Sequence, residues 1–285
     1  MNAGQVFSAG WTLDDIDWGK FDRTKVDPAL VATVKGASLV EYNAPDYVTY
    51  LTRVFKDAGA QTLDHIARWG EEEVQHGRAL ARWAETADPT FDFAAAFARF
   101  RSGYHPAHFV SDNPNSVRGS RRGEMVARCV VESGTSSFYS AIRDESEEPV
   151  LKEIASRIAA DEFRHYRLFL ETLHEQDEPE LPLWRKLIVA IGRLNESEDD
   201  ELSYAYYCAN VSQSEAAGKP YDRAECSRAY YARVMTMYTR PHINKLVQMV
   251  AKACGADPQG ALTGMASAIA WHAFRMRGGL TRKAA

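Results

Sequence analysis

Cysteine is scarce in this sequence: Cys129, Cys208, Cys226 and Cys254 are the only four, and no two form a C-x-x-C pair. Their scatter excludes a zinc ribbon, a rubredoxin-type iron site and a disulfide framework, and it fits a reducing, cytoplasmic setting. No run approaches the roughly 18–20 consecutive apolar residues that span a bilayer. The opening stretch, MNAGQVFSAGWTLDDIDWGKFD, has neither a basic start nor an apolar segment behind it, so no signal peptide is expected. A glycine-rich nucleotide-binding motif is missing as well. So is any excess of positive charge: the net charge is −5 and the pI near 5.9, which gives no reason to expect a nucleic-acid partner. Strand-like alternation is nearly absent, and the expected class is therefore all-α.

What is present is 45% hydrophobic residues over 285 positions, enough to bury the core of one large helical domain. Residues 1–26 read as an aromatic, acidic arm packed on the body. Asp27-Pro28 marks an N-cap followed by proline at the first helical position. The helix that starts there is expected to bend near Gly36 and again at Pro45. A second helix covers about 60–86, and a short amphipathic one follows at FDFAAAFARF. Residues 102–122, rich in Gly, Pro, Ser and Asn, form the longest loop. Helices return at about 123–146 and 148–176, closing a four-helix core over about 27–176. Residues 177–285 add further helices, near 221–254 and 258–276.

Within the core one pattern repeats. Glu41 lies 32 residues before Glu73-x-x-His76, and Glu132 lies 30 before Glu162-x-x-His165. Residues three apart on a helix share a face, so each E-x-x-H can offer both side chains to one metal cluster. A four-helix bundle with one Glu from each of two helices and E-x-x-H from the other two builds a di-iron or di-manganese carboxylate site. Glu41, Glu73, His76, Glu132, Glu162 and His165 supply that set in order, and carboxylates with imidazoles suit iron or manganese. A third pair, Glu171-x-x-His174, follows nine residues after the second, on the opposite face of the same helix.

The flanks carry a family resemblance. EYNAPDY (Glu41 to Tyr47) resembles the first ligand motif of the acyl-acyl-carrier-protein desaturases, with Pro at +4 and Tyr at +6. WGEEEVQHG resembles their second, with Trp69 before the ligand Glu and Gly77 after the ligand His. ESGTSSF places Thr135 three residues after Glu132, and DEFRH (Asp161 to His165) resembles their D-E-x-R-H motif. The resemblance covers roughly residues 25–175 and implies a ferritin-like four-helix bundle. It implies that Glu41 and His76 hold one iron, Glu132 and His165 the other, with Glu73 and Glu162 bridging. Thr135 takes the place beside the oxygen-binding face, where it orients or protonates oxygen; a helical Thr bonding its own backbone is the alternative. Metal-bound histidines pass their other ring N–H to a partner, and Asp161 and Glu72 are the candidates. For Glu72 and Glu71 a solvated helix face is the alternative, and Trp69 reads as core packing.

Arg118, Arg121, Arg122 and Arg128 cluster around the start of the third core helix. Such a patch suits docking of an acidic acyl-carrier protein, against the alternative of a solvated helix start. His105 and His108 flank Pro106 without acidic partners and read as loop histidines; His65 can share the face of His76 as a core or supporting residue. The tyrosine-rich segments SYAYYCANVS and AYYARVMTMY are apolar helix faces or a dimer surface. The expected activity is an oxygen-dependent di-iron oxidoreductase acting on an unactivated C–H bond, in the leading form desaturating an acyl chain on acyl-carrier protein. A hydroxylase or N-oxygenase of another small substrate, or a ferritin-like iron-binding protein without organic substrate, are the alternatives. Two iron ions, with manganese as the substitute, a separate electron donor such as a ferredoxin, and a homodimer complete the expectation.

Overall fold

Asp27 and Pro28 start the first long helix of the computed structural model, which describes residues 10–106, 109, 112–196, 200–216 and 218–284. Helix α1 (Pro28–Tyr42) is capped by the Asp27 carboxylate, which accepts from the Ala29 N–H at 2.8 Å. Gly36 was expected to bend it, yet α1 runs unbroken through that position to Asn43, and Pro45 sits in the first turn of α2 (Ala44–Val54). Helices α3 (Ala60–Ala87) and α4 (Phe93–Gly103) follow. Ser120 caps α5 (Arg121–Glu145) by accepting from Gly123 N. Glu148 caps α6 (Pro149–Glu175), accepting from the N–H groups of Val150 and Leu151 and from Trp83 Nε1 at 2.7 Å. One buried carboxylate thus joins the start of α6 to α3.

The last third is more segmented than expected. It comprises α7 (Leu183–Glu196), α8 (Asp200–Asn210), a single helical turn at Gln213–Ala216, α9 (Arg223–Met237), α10 (Arg240–Ala253) and α11 (Ala261–Ala284). The helical region near 221–254 is two helices, because Pro241 in the first turn of α10 has no N–H with which to continue α9. No strand occurs among the described residues, and the class is all-α. No helix among them is long and apolar enough to cross a membrane.

α1 packs on α3 and α5 on α6, and α3 against α6 joins the two pairs. The register along α3 and α6 is antiparallel: Trp69 meets Phe169, His76 meets Asp161, and Trp83 meets Glu148. α8 and α9 close over α1. Tyr206, Tyr207, Ala209 and Tyr230 are buried there, so the apolar faces of both tyrosine-rich segments go into the chain's own core. At Gly36 a Cβ would sit 3.4 Å from Tyr206 Cα, so this glycine serves the close approach of α8. The arm contributes Ile16, buried, and Trp11 and Trp18 against the same core.

A single ion pair ties α1 to the far end of α3. Lys35 Nζ lies 2.5 Å from Asp88 Oδ2. The lysine, helped by Thr90, holds the Asp88 carboxyl down at about 2. Because the folded-state value is depressed, its stabilisation is complete above the ordinary carboxylate range and is lost as pH falls towards about 2. Thermal denaturation should therefore show wild type above Asp88→Asn at about pH 5, and the gap closing by about pH 2.

Candidate metal centre

Helical periodicity brings six side chains from four helices to one buried point. Glu73 and His76 lie one turn apart on α3, and Glu162 and His165 one turn apart on α6. Glu41 enters from the last turn of α1 and Glu132 from the middle of α5. All six are buried, His76 and Glu162 completely. Their donor atoms form two overlapping groups, Glu41, Glu73, His76 and Glu162, and Glu73, Glu132, Glu162 and His165. Within each group the donor atoms lie within 4.8 Å of one another. Glu73 and Glu162 belong to both groups.

The two imidazoles face each other across this point with ring centroids 5.8 Å apart. Each turns Nδ1 inward: His76 Nδ1 lies 3.2 Å from Glu162 Oε1, and His165 Nδ1 lies 3.0 Å from Glu73 Oε1. Each turns Nε2 outward to a carboxylate, and the two contacts cross. Asp161, which precedes Glu162, bonds His76 Nε2 at 3.0 Å; Glu72, which precedes Glu73, bonds His165 Nε2 at 2.7 Å. Such contacts leave the inward nitrogen as the donor to a metal. Glu71 is exposed.

The interior lacks partners in a way a cation would cure. Glu73 Oε1, His76 Nδ1, both carboxylate oxygens of Glu132, Glu162 Oε1 and His165 Nδ1 are buried and make no hydrogen bond among the described residues. Burial and the nearby charges of Glu73 and Glu162 push Glu41 and Glu132 well above the ordinary carboxylate range. Burial disfavours charge on the imidazoles too, but the surrounding carboxylates outweigh it and hold both histidines well above their usual value. Four buried carboxylates thus draw positive charge to themselves, and two divalent ions would balance them. Oxygen donors with two imidazoles suit such ions, so the residues fit a pair of metals.

Thr135 donates to Glu162 Oε2 at 2.7 Å and also bonds back to the carbonyls of Val131 and Glu132. Its single hydroxyl proton is shared between the carbonyls of its own turn and the Glu162 carboxylate, so the back-bonded threonine expected as the alternative is present and its Oγ1 also lies against a cluster carboxylate. Three further contacts were not anticipated. Tyr139, two turns after Glu132, donates to Glu41 Oε1 at 2.5 Å, linking α5 to α1. Arg164 pairs with both Asp161 and Glu72 and so ties the two outer carboxylates together. Trp11 stacks on His76 and donates its indole N–H to Asp161 at 2.7 Å. Arg164 stood inside the D-E-x-R-H motif and Tyr139 on the face of Glu132; nothing local pointed to Trp11.

A cavity of about 290 Å³ lies against α1 and α5. Its inner wall is made of Glu41, Thr135 and Tyr139, and its sides include Val40, Val131, Phe138, Val234 and Leu246. Towards the loop before α5 the wall becomes charged, with Arg118, Glu124, Arg128, Arg193 and Glu201. Glu124 accepts from Tyr50 and Ser116, and Glu201 from Tyr47. Burial pushes the Glu201 carboxyl up.

The arginine cluster is not the surface patch that was expected. Arg122 is buried, and its guanidinium donates to the carbonyls of Leu173, Gln176 and Glu178, satisfying the open C-terminal end of α6. Arg121 bonds the Val54 carbonyl and lies near Asp57, while Arg118 and Arg128 face the cavity. Glu171 and His174 are exposed on the outer face of α6, His65 is half-buried among Asp64, Glu171 and Glu175, and His105 bonds the Ser102 carbonyl. None of these four joins the cluster. His108 lies outside the described residues. Trp69 packs edge-on against Phe169. Comparison with known protein families, with characterised proteins and with solved structures returns no match.

Proposed function

We propose that the chain is an oxygen-dependent oxidoreductase of ferritin-like type that holds two iron ions in the six-residue cluster and oxidises an unactivated C–H bond in the adjoining cavity. The observation that carries this reading is the shared wall: Glu41 and Thr135 belong at once to the cluster and to the cavity. A protein that only stored iron has no use for a ligand-sized, largely apolar-walled cavity beside its metals. The metal pair would supply the reduction of dioxygen, with two electrons from a separate donor protein such as a ferredoxin. Desaturation would convert a CH–CH unit, dioxygen, two electrons and two protons into an alkene and two waters; hydroxylation would leave one oxygen on carbon and release one water.

The protein's own groups have separable tasks. Glu41, Glu73, His76, Glu132, Glu162 and His165 bind the ions, while Asp161, Glu72 and Arg164 fix the imidazole orientations. Thr135 holds a proton on Oγ1, hydrogen-bonded to Glu162 Oε2, at the boundary with the cavity. Val131 and Phe138 keep water from the reacting bond. The motifs favour acyl-carrier protein as the bearer of the substrate. A free small molecule is favoured by two observations: Arg122 is spent inside the fold, and about 290 Å³ lies at the small end of ligand cavities. Pairing with a second copy would use exposed apolar residues such as Trp184, Ile188 and Ile191 on α7.

The test is dioxygen uptake by the iron-loaded, chemically reduced protein, with acyl-carrier-protein substrates set against free acids. Uptake should rise above the substrate-free rate with one of these classes, and Thr135→Val should lower the product formed per dioxygen consumed. Uptake that no substrate stimulates would overturn the reading in favour of iron handling alone.

A further inference from the structure

Gly134 lines the cavity from α5, between Glu132 of the cluster and Thr135, which bonds Glu162. Glycine is the least favourable helix-interior residue after proline. Elsewhere in the bundle packing explains it: a Cβ at Gly36 would touch the Tyr206 backbone, and one at Gly77 would collide with Tyr42. Gly134 has no such neighbour, since among the described residues a Cβ there would meet nothing within 4 Å. Gly192 and Gly264 share that freedom, but neither lines the cavity. What Gly134 supplies is space, where a side chain would otherwise stand. Val130, Gly134 and Phe138 follow at four-residue intervals on one stripe of α5, with Val131 and Thr135 beside them, and all five line the cavity. Val130 and Phe138 are about 12 Å apart along the helix axis, so the glycine leaves a hollow between their side chains, next to Thr135. Ser137 donates to the His242 carbonyl at 3.2 Å, which sets α10 against α5 three residues beyond Gly134. Tyr238 and Leu246, four residues to either side of His242, line the cavity together with Tyr230 and Val234 of α9. Such walls offer broad, weakly polar faces.

We propose that Gly134 is the specificity-determining residue of the cavity, and that the substrate carries a ring at its reacting end, seated in the hollow beside Thr135. The proposal rests on the oxidase reading for calling the ligand a substrate, and on the hollow for its shape. A straight methylene chain lying along α5 would bridge Val130 and Phe138 and leave the hollow unfilled, forfeiting dispersion contacts on that side. A ring fills it and lies against the α5 backbone, an approach that a residue without Cβ permits. The ring edge then lies beside Thr135, so the C–H bonds presented to the metal centre belong to the ring. An alanine at this position would take the space back while suiting the helix better.

Isothermal titration of the iron-loaded, oxidised protein with 4-cyclohexyl-1-butanol and with 1-decanol tests this. Both alcohols have ten carbons, and they differ in whether six of them close a ring. Gly134→Ala should weaken cyclohexylbutanol at least about fivefold, the scale of one methyl group forced into an occupied space. Decanol affinity should change less than about twofold. Gly134→Val should extend the loss of the ring probe, and iron content should stay at the wild-type level in both variants. The alanine variant is expected to be at least as stable as wild type, so unfolding cannot imitate the result. Equal changes for the two probes, no change for either, or no binding of the ring probe to the wild-type protein would overturn the proposal. Selective loss of the ring probe in a chain that holds no metal would leave this inference standing for the cavity and remove the oxidase reading. A metal-replete chain in which both probes respond alike would do the reverse.

Discussion

Glu73→Ala and Glu162→Ala are expected to abolish metal binding, whereas Glu132→Ala and Glu41→Ala should each spare part of it. The difference follows from geometry, since Glu73 and Glu162 belong to both donor groups while Glu132 and Glu41 each belong to one. His165→Ala should behave like Glu132→Ala and weaken the second group first. Elemental analysis after reconstitution gives the stoichiometry directly and distinguishes iron from manganese. Thermal denaturation adds a second signature. Metal-loaded wild type should melt highest, because a ligand bound only by the native state stabilises it by an amount that grows with the logarithm of the free ligand concentration relative to its Kd. Without metal the order should reverse, and Glu132→Ala should melt above wild type. Glu132 is then a buried carboxylate whose oxygens have no partner and which stands against Glu162 and Glu73. Full metal occupancy in both Glu132→Ala and His165→Ala would overturn the assignment.

The two-halved cluster was legible because it is written in short-range periodicity. Glu73 with His76 and Glu162 with His165 need only one helical turn each, and the repeated upstream glutamate needs only chain order. What crosses between helices was not legible. Asp161 and Glu72 were recognisable as supports from their position beside a ligand, but each supports the histidine of the other helix. Local sequence holds no record of which helix faces which. Arg122 was misread for the same reason: at a helix start it resembles a surface cation, and the carbonyls it satisfies lie about fifty residues on, at the end of α6. Trp11 reaches Asp161 across 150 positions from an arm with no periodicity of its own. The extra helices α7 and α8 escaped a clear reading because the segment between Pro182 and Pro220 mixes an amphipathic stretch with a tyrosine run.

Gly77→Ala should damage both the fold and the metal centre, though it adds one methyl group. At the position after His76, α3 lies directly against the α1 backbone. A Cβ there would meet Tyr42 N at 2.6 Å and Tyr42 Cα at 2.8 Å, and both are backbone atoms that no rotamer change can move. α1 must shift, and Tyr42 is the neighbour of Glu41, so the displacement falls on the ligand that α1 supplies. Overpacking of this kind costs about 1–3 kcal/mol, which chemical denaturation of the metal-free protein would register without interference from bound ions. Metal affinity should fall first in the group containing Glu41 and His76. Gly134→Ala provides the contrast. It lies mid-helix on α5 beside Thr135, and a Cβ there meets nothing within 4 Å. Helix propensity alone then favours alanine by roughly 1 kcal/mol. Opposite signs for the two substitutions are expected; equal effects would mean that α1 and α3 are not held at van der Waals limit beside the cluster, and that Gly77 follows His76 for some other reason.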